Sequence, residues 1–250
     1  PALRAVVCGM AGARQGWLEV SYVDVPASPA DIAAGCEAPP DAARPVRIVP
    51  GLAVRGAKPN VMRGEETQLL GLVHGDGRAG GLVAMPGTHS KWVRLDGGTV
   101  VDFTTFLTGE LYALLSSQSI LAHAVGSAAG AFEPDHPSFV DGVGTGLADA
   151  SRLTAELFTI RAMSLLDGLP PEAAAARLSG LLIGTEIAAA RSWSGDEPSA
   201  VTLLASGRME SLYSSALAAA GMRCVVADAD RMARTGLLAV ASALWPERVA

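Results

Sequence analysis

Residues 80–106 read GGLVAMPGTHSKWVRLDGGTVVDFTTF, and this stretch decides the fold class. The apolar run at 82–85 predicts a buried strand, and residues 91–95 and 99–103 predict two further strands. The sequence PGTHS separates the first two strands, and the hairpin-turn sequence DGG separates the second two. The stretch therefore predicts a three-stranded meander.

Strands and helices alternate on both sides of this meander. Short β-rich runs predict strands at residues 3–8, 20–25, 46–50, 201–205 and 223–227. Amphipathic spacing predicts helices at residues 65–73, 145–167, 171–193, 210–220 and 231–243, and one more that Thr105 or Thr108 would cap. Pro39, Pro40 and Pro45 exclude a long helix in residues 26–45. The pattern predicts an α/β protein.

Composition excludes several classes of protein. Half of the 250 residues are hydrophobic, so the chain can bury a core and is not disordered. The net charge is −6 and no Lys/Arg cluster is present, which argues against a nucleic acid or an anionic membrane as partner. Three widely spaced cysteines predict neither a disulfide framework nor a zinc site. With no run of 18 apolar residues and no signal peptide, a cytoplasmic protein is expected.

The turn PGTHSK at residues 86–91 could bind phosphate. Gly87, Thr88, His89, Ser90 and Lys91 offer backbone N–H groups, two hydroxyls, an imidazole and an ammonium directly after a buried strand. The turn is not a Walker A loop, because a strand rather than a helix follows it. An ordinary polar hairpin remains the alternative.

A second turn, Ser206-Gly207, joins a predicted strand to a predicted helix. That geometry places a ligand over a helix N-terminus, although glycine is common in such turns. We expect this turn and residues 86–91 to line the same nucleotide or phosphate site.

Two adjacent carboxylates, Glu65 and Glu66, begin the helix in MRGEETQLLG. Either could act as the general base that takes a proton from a substrate hydroxyl. The alternative is that both only complement the helix dipole. The two side chains point about 100° apart on a helix, so we expect only one to face a ligand, and we favour Glu65 because it directly follows Gly64. Asp102 is a further candidate for a base or a metal-linked carboxylate, with helix capping as its alternative.

The glycine-rich segment GMAGARQGW at residues 9–17 could bind a sugar acid. Arg14 could hold a carboxylate in a bidentate fork, and Trp17 could offer its ring to a sugar. We include Gln15 in this predicted substrate site. A surface arginine and a core tryptophan are the alternative interpretation.

Taken together, these segments resemble the 2-dehydro-3-deoxygalactonokinase family, a resemblance that covers nearly the whole chain in the family's order. The similar segments are GMAGARQGW at 9–17, PGLAVRGAKPNVMRGEETQLLGL at 50–72, MPGTHSKWV at 85–93, TGELYALLSSQSIL at 108–121 and GLLIGTEIAAA at 180–190.

The resemblance implies an actin-like (ribonuclease H-like) sugar-kinase fold with two lobes. Residues 1–78 would be the remainder of an N-terminal sugar-binding lobe, and residues 79–235 a C-terminal nucleotide-binding lobe. Residues 236–250 would form a helix that returns towards the first lobe. The family's opening Asp-x-Gly-Thr phosphate loop is not found before residue 9, so the first lobe is expected to be incomplete.

The resemblance also implies ATP-dependent phosphorylation of 2-dehydro-3-deoxy-D-galactonate at its 6-hydroxyl, in galactonate catabolism. ATP and Mg²⁺ would be required, and the partners would be the sugar acid and ATP, with a homodimer left open. In this interpretation Glu65 is the base and Glu66 its rival. The alternatives are a kinase for another sugar acid or sugar, and a non-catalytic remnant of such a kinase.

Overall fold

The computed structural model describes residues 3–75, 77, 79–195 and 200–246. The chain divides into two compact units. Unit 1 comprises Pro1–Val83, Trp92–Thr105 and Ala227–Ala250, and unit 2 comprises Ala84–Lys91 and Phe106–Val226. Both units are discontinuous in sequence, whereas the predicted lobes 1–78 and 79–235 are continuous; that division into lobes stays a prediction.

The described residues of unit 1 form two small sheets and three α-helices. The strands of its small sheets are β1 (Ala5–Val7), β2 (Val23–Asp24), β3 (Val46–Ile48), β4 (Leu52–Val54) and β5 (Asn60–Met62). Strand β1 pairs with β3 in parallel, β2 pairs with β4 in parallel, and β4 pairs with β5 in antiparallel orientation. The helices are α1 (Pro29–Ala34), α2 (Glu65–Gly75) and α9 (Ala229–Leu244).

Helix α1 is short, as the prolines around it predict. Ser28 caps it: its backbone N–H donates to the Asp31 carboxylate at 2.8 Å, and its hydroxyl accepts from the Asp31 backbone N–H at 3.3 Å. This reciprocal pair is a capping box, and Pro29 occupies the first helical position.

The predicted meander forms three adjacent strands of a five-stranded sheet. Its strands are β6 (Gly81–Met85), β7 (Ser90–Asp96), β8 (Thr99–Phe106), β9 (Ala200–Ala205) and β10 (Arg223–Asp228). The strand order is β10-β9-β6-β7-β8, so the predicted adjacency of the three meander strands is confirmed. The boundary between the two units passes through β6 and β7.

The helices of unit 2 pack around a long apolar helix, α7. The helices are α3 (Thr108–Gln118), α4 (Ala122–Val125), α5 (Pro137–Ala148), α6 (Leu153–Leu166), α7 (Pro171–Ser194) and α8 (Gly207–Ala219). By length and composition α7 could cross a membrane, but 78% of its most apolar window is buried inside the protein. The buried core helix of a folded domain shows the same pattern.

The single helix predicted at 145–167 is wrong. Helix α5 ends at Ala148, Asp149 adopts an extended conformation (φ −156°, ψ 91°), and α6 begins at Leu153. The Asp149 carboxylate accepts from the Ser151 backbone N–H at 3.0 Å, a local bond that competes with helix continuation. The predicted threonine cap of α3 is also wrong, because Leu107 precedes the helix and makes no side-chain cap hydrogen bond.

Candidate active site

The loop PGTHS connects β6 to β7, and buried residues at its C-terminal end hold it in place. Thr88 and His89 are exposed, whereas Ser90 is fully buried and Lys91 is only 4% exposed. The Lys91 ammonium donates to the carbonyl oxygen of His89 at 3.0 Å. Lys91 therefore holds the loop from the interior.

The first turn of α3 lies directly against this loop. The Glu110 backbone N–H donates to the carbonyl oxygen of Thr88 at 3.0 Å. The Glu110 carboxylate lies 2.6 Å from Nε2 of His89, and both side chains are partly exposed. Gly109 approaches the loop so closely that a Cβ atom there would collide with the carbonyl oxygen of Gly87. The loop and the helix N-terminus form one rigid wall.

A second helix N-terminus, that of α8, begins at the turn Ser206-Gly207. The Ser206 side chain does not cap this helix, and Gly207 has φ +60°, which favours glycine. Arg208 follows: its guanidinium carbon lies 4.6 Å from the Phe132 ring centroid, and Nη2 donates to the Phe132 carbonyl oxygen at 2.6 Å. The stacking fixes a cation at the start of the helix.

A pocket of about 330 Å³ lies within unit 2 between these elements. Gly87 and Thr88 line it from the loop, and Arg208 and Met209 line it from the first turn of α8, directly after Ser206-Gly207. That both turns serve one nucleotide site stays a prediction. The rest of the lining is Thr108, Gly109, Tyr112, Gly130, Phe132, Ser179, Leu182, Ile183, Leu212 and Tyr213. A mainly apolar pocket with two helix N-termini at its edge suits a flat ring joined to an anionic group.

The two candidate bases differ sharply in environment. Glu66 is fully buried; it accepts from the Gly64 backbone N–H at 2.6 Å and from the Thr67 hydroxyl at 2.9 Å. Glu65 is partly exposed and accepts from the Arg63 backbone N–H at 3.1 Å. Gly64 has φ +108°, which turns the chain sharply into the helix. Glu65 therefore lies on the accessible side of the turn and Glu66 beneath it.

Burial dominates the electrostatics of Glu66. It raises the pKa of this carboxyl from the ordinary 4.5 to about 7, and the hydrogen bonds from Gly64 and Thr67 only partly oppose the shift. Glu66 therefore keeps its proton to a higher pH than an ordinary carboxyl group does.

The glycine-rich segment at 9–17 lies at the surface of unit 1. Arg14 is 81% exposed in its side chain and pairs with Glu19 at 3.3 Å. Gln15 is exposed, and Trp17 is 48% exposed, with its indole N–H donating to Asp41 at 3.1 Å. Trp17 is therefore not the core tryptophan of the alternative interpretation.

Asp102 neither caps a helix nor joins a metal cluster among the described residues. It lies within β8 and accepts from Arg94 Nη2 at 3.2 Å and from the Phe103 backbone N–H at 2.8 Å. These contacts give Asp102 a structural role in the sheet.

Sequence reasoning missed most of the pocket wall. Tyr112, Phe132, Ser179 and Tyr213 come from four separate segments between residues 106 and 226, and each reads as ordinary helix or loop sequence. Arg208 carried a usable signal, because it is a cation directly after the Ser206-Gly207 turn.

Comparison with known proteins decides the family. A family model described as 2-keto-3-deoxy-galactonokinase matches residues 1–240. A curated relative from Rhizobium meliloti strain 1021, provisionally named a 2-dehydro-3-deoxygalactonokinase, is 47% identical over 98% of this chain and 79% of its own length. The 2-dehydro-3-deoxygalactonokinase of Escherichia coli strain K12 is 35% identical over 96% of this chain and 78% of its own length. The chain belongs to the 2-keto-3-deoxy-galactonokinase family.

A solved structure of a family protein agrees with this conclusion. The crystal structure from Sinorhizobium meliloti, of a protein provisionally named a 2-dehydro-3-deoxygalactonokinase, superposes with a TM-score of 0.93 at 47% identity. It covers 98% of this chain and 82% of the solved chain. The family resemblance and the α/β class that the sequence predicts are confirmed. As a member of the 2-keto-3-deoxy-galactonokinase family, the chain is a carbohydrate kinase.

The raised pKa of Glu66 predicts that the stability of this 2-keto-3-deoxy-galactonokinase family member depends on pH. Between pH 4.5 and about 7 the folded chain keeps a proton that the unfolded chain has released, so stability falls as pH rises through that window. Glu66→Gln cannot ionise, so its free energy of unfolding relative to the wild type should rise by roughly 2 kcal/mol between pH 5 and 8. Urea unfolding of both proteins at four pH values measures this difference.

Glu65→Gln is the matched control for that series. It removes the adjacent, partly exposed carboxylate and leaves Glu66 in place, so a trend shared by both variants would not be specific to Glu66. Equal trends for the two variants would contradict the assignment of the effect to Glu66.

Proposed function

We propose that this chain catalyses ATP-dependent phosphorylation of 2-dehydro-3-deoxy-D-galactonate at its 6-hydroxyl, a step of galactonate catabolism. The observation that carries the proposal is the family match over residues 1–240, together with two curated relatives named for this activity that are 47% and 35% identical. The proposal includes the actin-like sugar-kinase fold that the sequence resemblance implies, and a cytoplasmic location where ATP is at hand.

The proposed nucleotide site is the pocket of unit 2. Its apolar walls would take the adenine ring, and the N-termini of α3 and α8 would face the phosphates. Gly87, Thr88 and His89 would bind phosphate through the exposed part of the loop, with Ser206 and Gly207 at the second turn. Ser90 and Lys91, both buried, would act by holding the loop.

Mg²⁺ is proposed to enter with the nucleotide. Across residues 3–75, 77, 79–195 and 200–246, no group of three or more His, Cys, Asp and Glu side chains could hold a metal ion. Mg²⁺ at kinase sites is bound through substrate phosphates, waters and only one or two carboxylates, so the observed side chains are compatible with it. When bound, it would neutralise charge on the phosphates.

Glu65 is proposed as the general base. Its carboxylate lies at the accessible side of the turn, in the first turn of α2. Glu66 is proposed as a positioning residue, since it accepts from the Gly64 backbone N–H and so fixes the turn that carries Glu65.

Arg14 is proposed to bind the carboxylate of the sugar acid, with Gln15 and Trp17 beside it. The exposed Arg14 side chain would exchange the Glu19 carboxylate for that of the substrate. Arg14→Ala should raise the KM for the sugar acid by about 10-fold or more, with the KM for ATP near its original value. Steady-state kinetics with each substrate varied in turn measures both constants.

Arg63 is the alternative candidate for binding the carboxylate of the sugar acid. Its Nε and Nη1 atoms are buried with no hydrogen-bond partner among the described residues, while Nη2 donates to the Val20 carbonyl oxygen at 2.8 Å. An unchanged sugar-acid KM in Arg14→Ala would remove Arg14 from the site and make Arg63 the next candidate. An effect on the KM for ATP alone would contradict the assignment to the sugar end.

A panel of sugar acids and neutral sugars, with ADP release as readout, tests the proposed function. We expect the highest kcat/KM for 2-dehydro-3-deoxy-D-galactonate, with mass spectrometry of the product placing the phosphate on the terminal carbon. Preference for another sugar or sugar acid would overturn the substrate assignment. ATP binding with no turnover of any sugar would favour the non-catalytic remnant.

A further inference from the structure

Four buried polar side chains meet behind the pocket of unit 2. Tyr213 on α8 is 2% exposed, and its hydroxyl lies 2.8 Å from Oε2 of Glu186 on α7 and 3.0 Å from Oγ of Ser90 at the start of β7. The Thr108 hydroxyl, at the start of α3, also bonds to it. Ser90, Thr108 and Glu186 are 0%, 8% and 2% exposed.

The donor and the acceptor of each hydrogen bond in this cluster follow from the chemical groups present. Tyr213 has one hydroxyl proton, and an ionised Glu186 can only accept, so Tyr213 donates to Glu186. The Tyr213 oxygen is then left as an acceptor, and the Ser90 and Thr108 hydroxyls both donate to it. Burial and the negative charge of Glu186 hold the pKa of Tyr213 well above 10, so the proton stays on the phenol.

This arrangement joins all the parts of the pocket that face the proposed phosphates. Ser90 directly follows the PGTHS loop, Thr108 is the first residue of α3, and Tyr213 belongs to α8. Thr108 and Tyr213 also line the pocket. One phenol oxygen therefore ties together the loop and the two helices whose N-termini border the pocket.

Burial of a carboxylate is costly unless its partners are ordered. An apolar residue at Glu186 would pack among its neighbours without that cost, so the carboxylate needs an explanation beyond packing. Its hydrogen bond fixes the direction of the Tyr213 hydroxyl, and that direction in turn orients Ser90 and Thr108.

We propose that Glu186 and Tyr213 are positioning residues for the nucleotide phosphates, setting the distance between the PGTHS loop and the N-terminus of α3. The inference rests on the proposed function, because it takes the unit 2 pocket to be the ATP site. Neither residue touches the reacting atoms. Their contribution is the geometry of the backbone N–H groups around the phosphates.

Tyr213→Phe tests the proposal because it removes only the hydroxyl. We expect the KM for ATP and the Kd for a non-hydrolysable ATP analogue to rise about 10-fold, with the sugar-acid KM changing less than about 2-fold. Glu186→Gln should keep most of the affinity, since the Gln amide oxygen still accepts from Tyr213, whereas Glu186→Leu should match Tyr213→Phe.

Ser116→Ala is the matched control. It removes another buried hydroxyl of unit 2, which donates within its own helix to the Ala113 carbonyl oxygen at 3.2 Å. A purely structural role for the cluster would lower the melting temperature of Tyr213→Phe and leave both KM values and the analogue Kd as in Ser116→Ala. That result would overturn the proposal.

Calorimetry with the ATP analogue separates this inference from the proposed function. Analogue binding by the wild type with equal binding by Tyr213→Phe overturns the positioning role alone. No analogue binding by the wild type overturns both the ATP site and the inference. If Tyr213→Phe does not fold, Ser90→Ala removes the loop-side partner only, and the same rise in Kd is expected.

Discussion

Glu65→Gln is expected to reduce kcat by about 10²-fold or more, with little change in either KM. Glutamine keeps the size of the side chain and its hydrogen bond from the Arg63 backbone N–H, but it cannot take a proton from the sugar hydroxyl. A loss confined to kcat is the mark of an interaction made in the transition state. Steady-state kinetics with both substrates varied measures it, on protein whose melting temperature matches the wild type.

Glu172→Gln is the matched control for this variant. Glu172 also lies in the first turn of a helix, α7, and is exposed, so its loss removes the same charge from the first turn of a helix. Its kcat should equal that of the wild type. A loss in Glu172→Gln comparable to that in Glu65→Gln would mean that removal of any such carboxylate disturbs the enzyme.

The outcome for Glu66→Gln separates the two carboxylates. Glu66→Gln should lower kcat less than the Glu65 change, because glutamine can still accept from the Gly64 backbone N–H. A larger loss in Glu66→Gln would make Glu66 the base, consistent with its pKa of about 7. Near-normal kcat in both variants would contradict a base on α2.

Local sequence signals predicted the parts of the fold that depend on neighbouring residues. The alternation of strand and turn in residues 80–106 gave the meander, and the start of α2 at Glu65 was predicted to the residue. The burial of Glu66 was also readable, since Leu69 and Leu70 follow it by three and four residues on the same helical face. The burial of Glu66 was not predicted because a carboxylate on a helix is ordinarily expected to face solvent.

Features that depend on distant segments were not predictable from local patterns. Strand β7 begins at Ser90 rather than residue 91, and this one-residue difference moves Ser90 from a polar turn into the buried sheet. Its partner Tyr213 is 123 residues away, so no spacing rule connects them. The break at Asp149 was missed because helical periodicity continues across it, whereas the Asp149 carboxylate accepts locally from the backbone N–H and the hydroxyl of Ser151.

Gly109→Ala should lower kcat/KM for ATP by about 10²-fold, because a small displacement of bound groups can greatly reduce the reaction rate. A Cβ atom at this position would collide with the Gly87 carbonyl oxygen and lie 2.9 Å from the Thr88 Cα atom. Both obstacles are backbone, so the PGTHS loop or the start of α3 must move. The KM for the sugar acid should stay within about 2-fold, since the change lies in the nucleotide pocket.

Gly144→Ala is the control that separates loop displacement from the general effect of a methyl group in a helix. Gly144 lies in α5 of the same unit, is exposed, and has no atom within 4 Å of an added Cβ. Alanine there should raise stability by up to about 1 kcal/mol and leave all kinetic constants unchanged, because helical glycine costs backbone entropy. Near-normal ATP kinetics in Gly109→Ala would show that the PGTHS loop can move without loss of activity. The rigid wall assigned to Gly87, Thr88 and α3 would then be wrong.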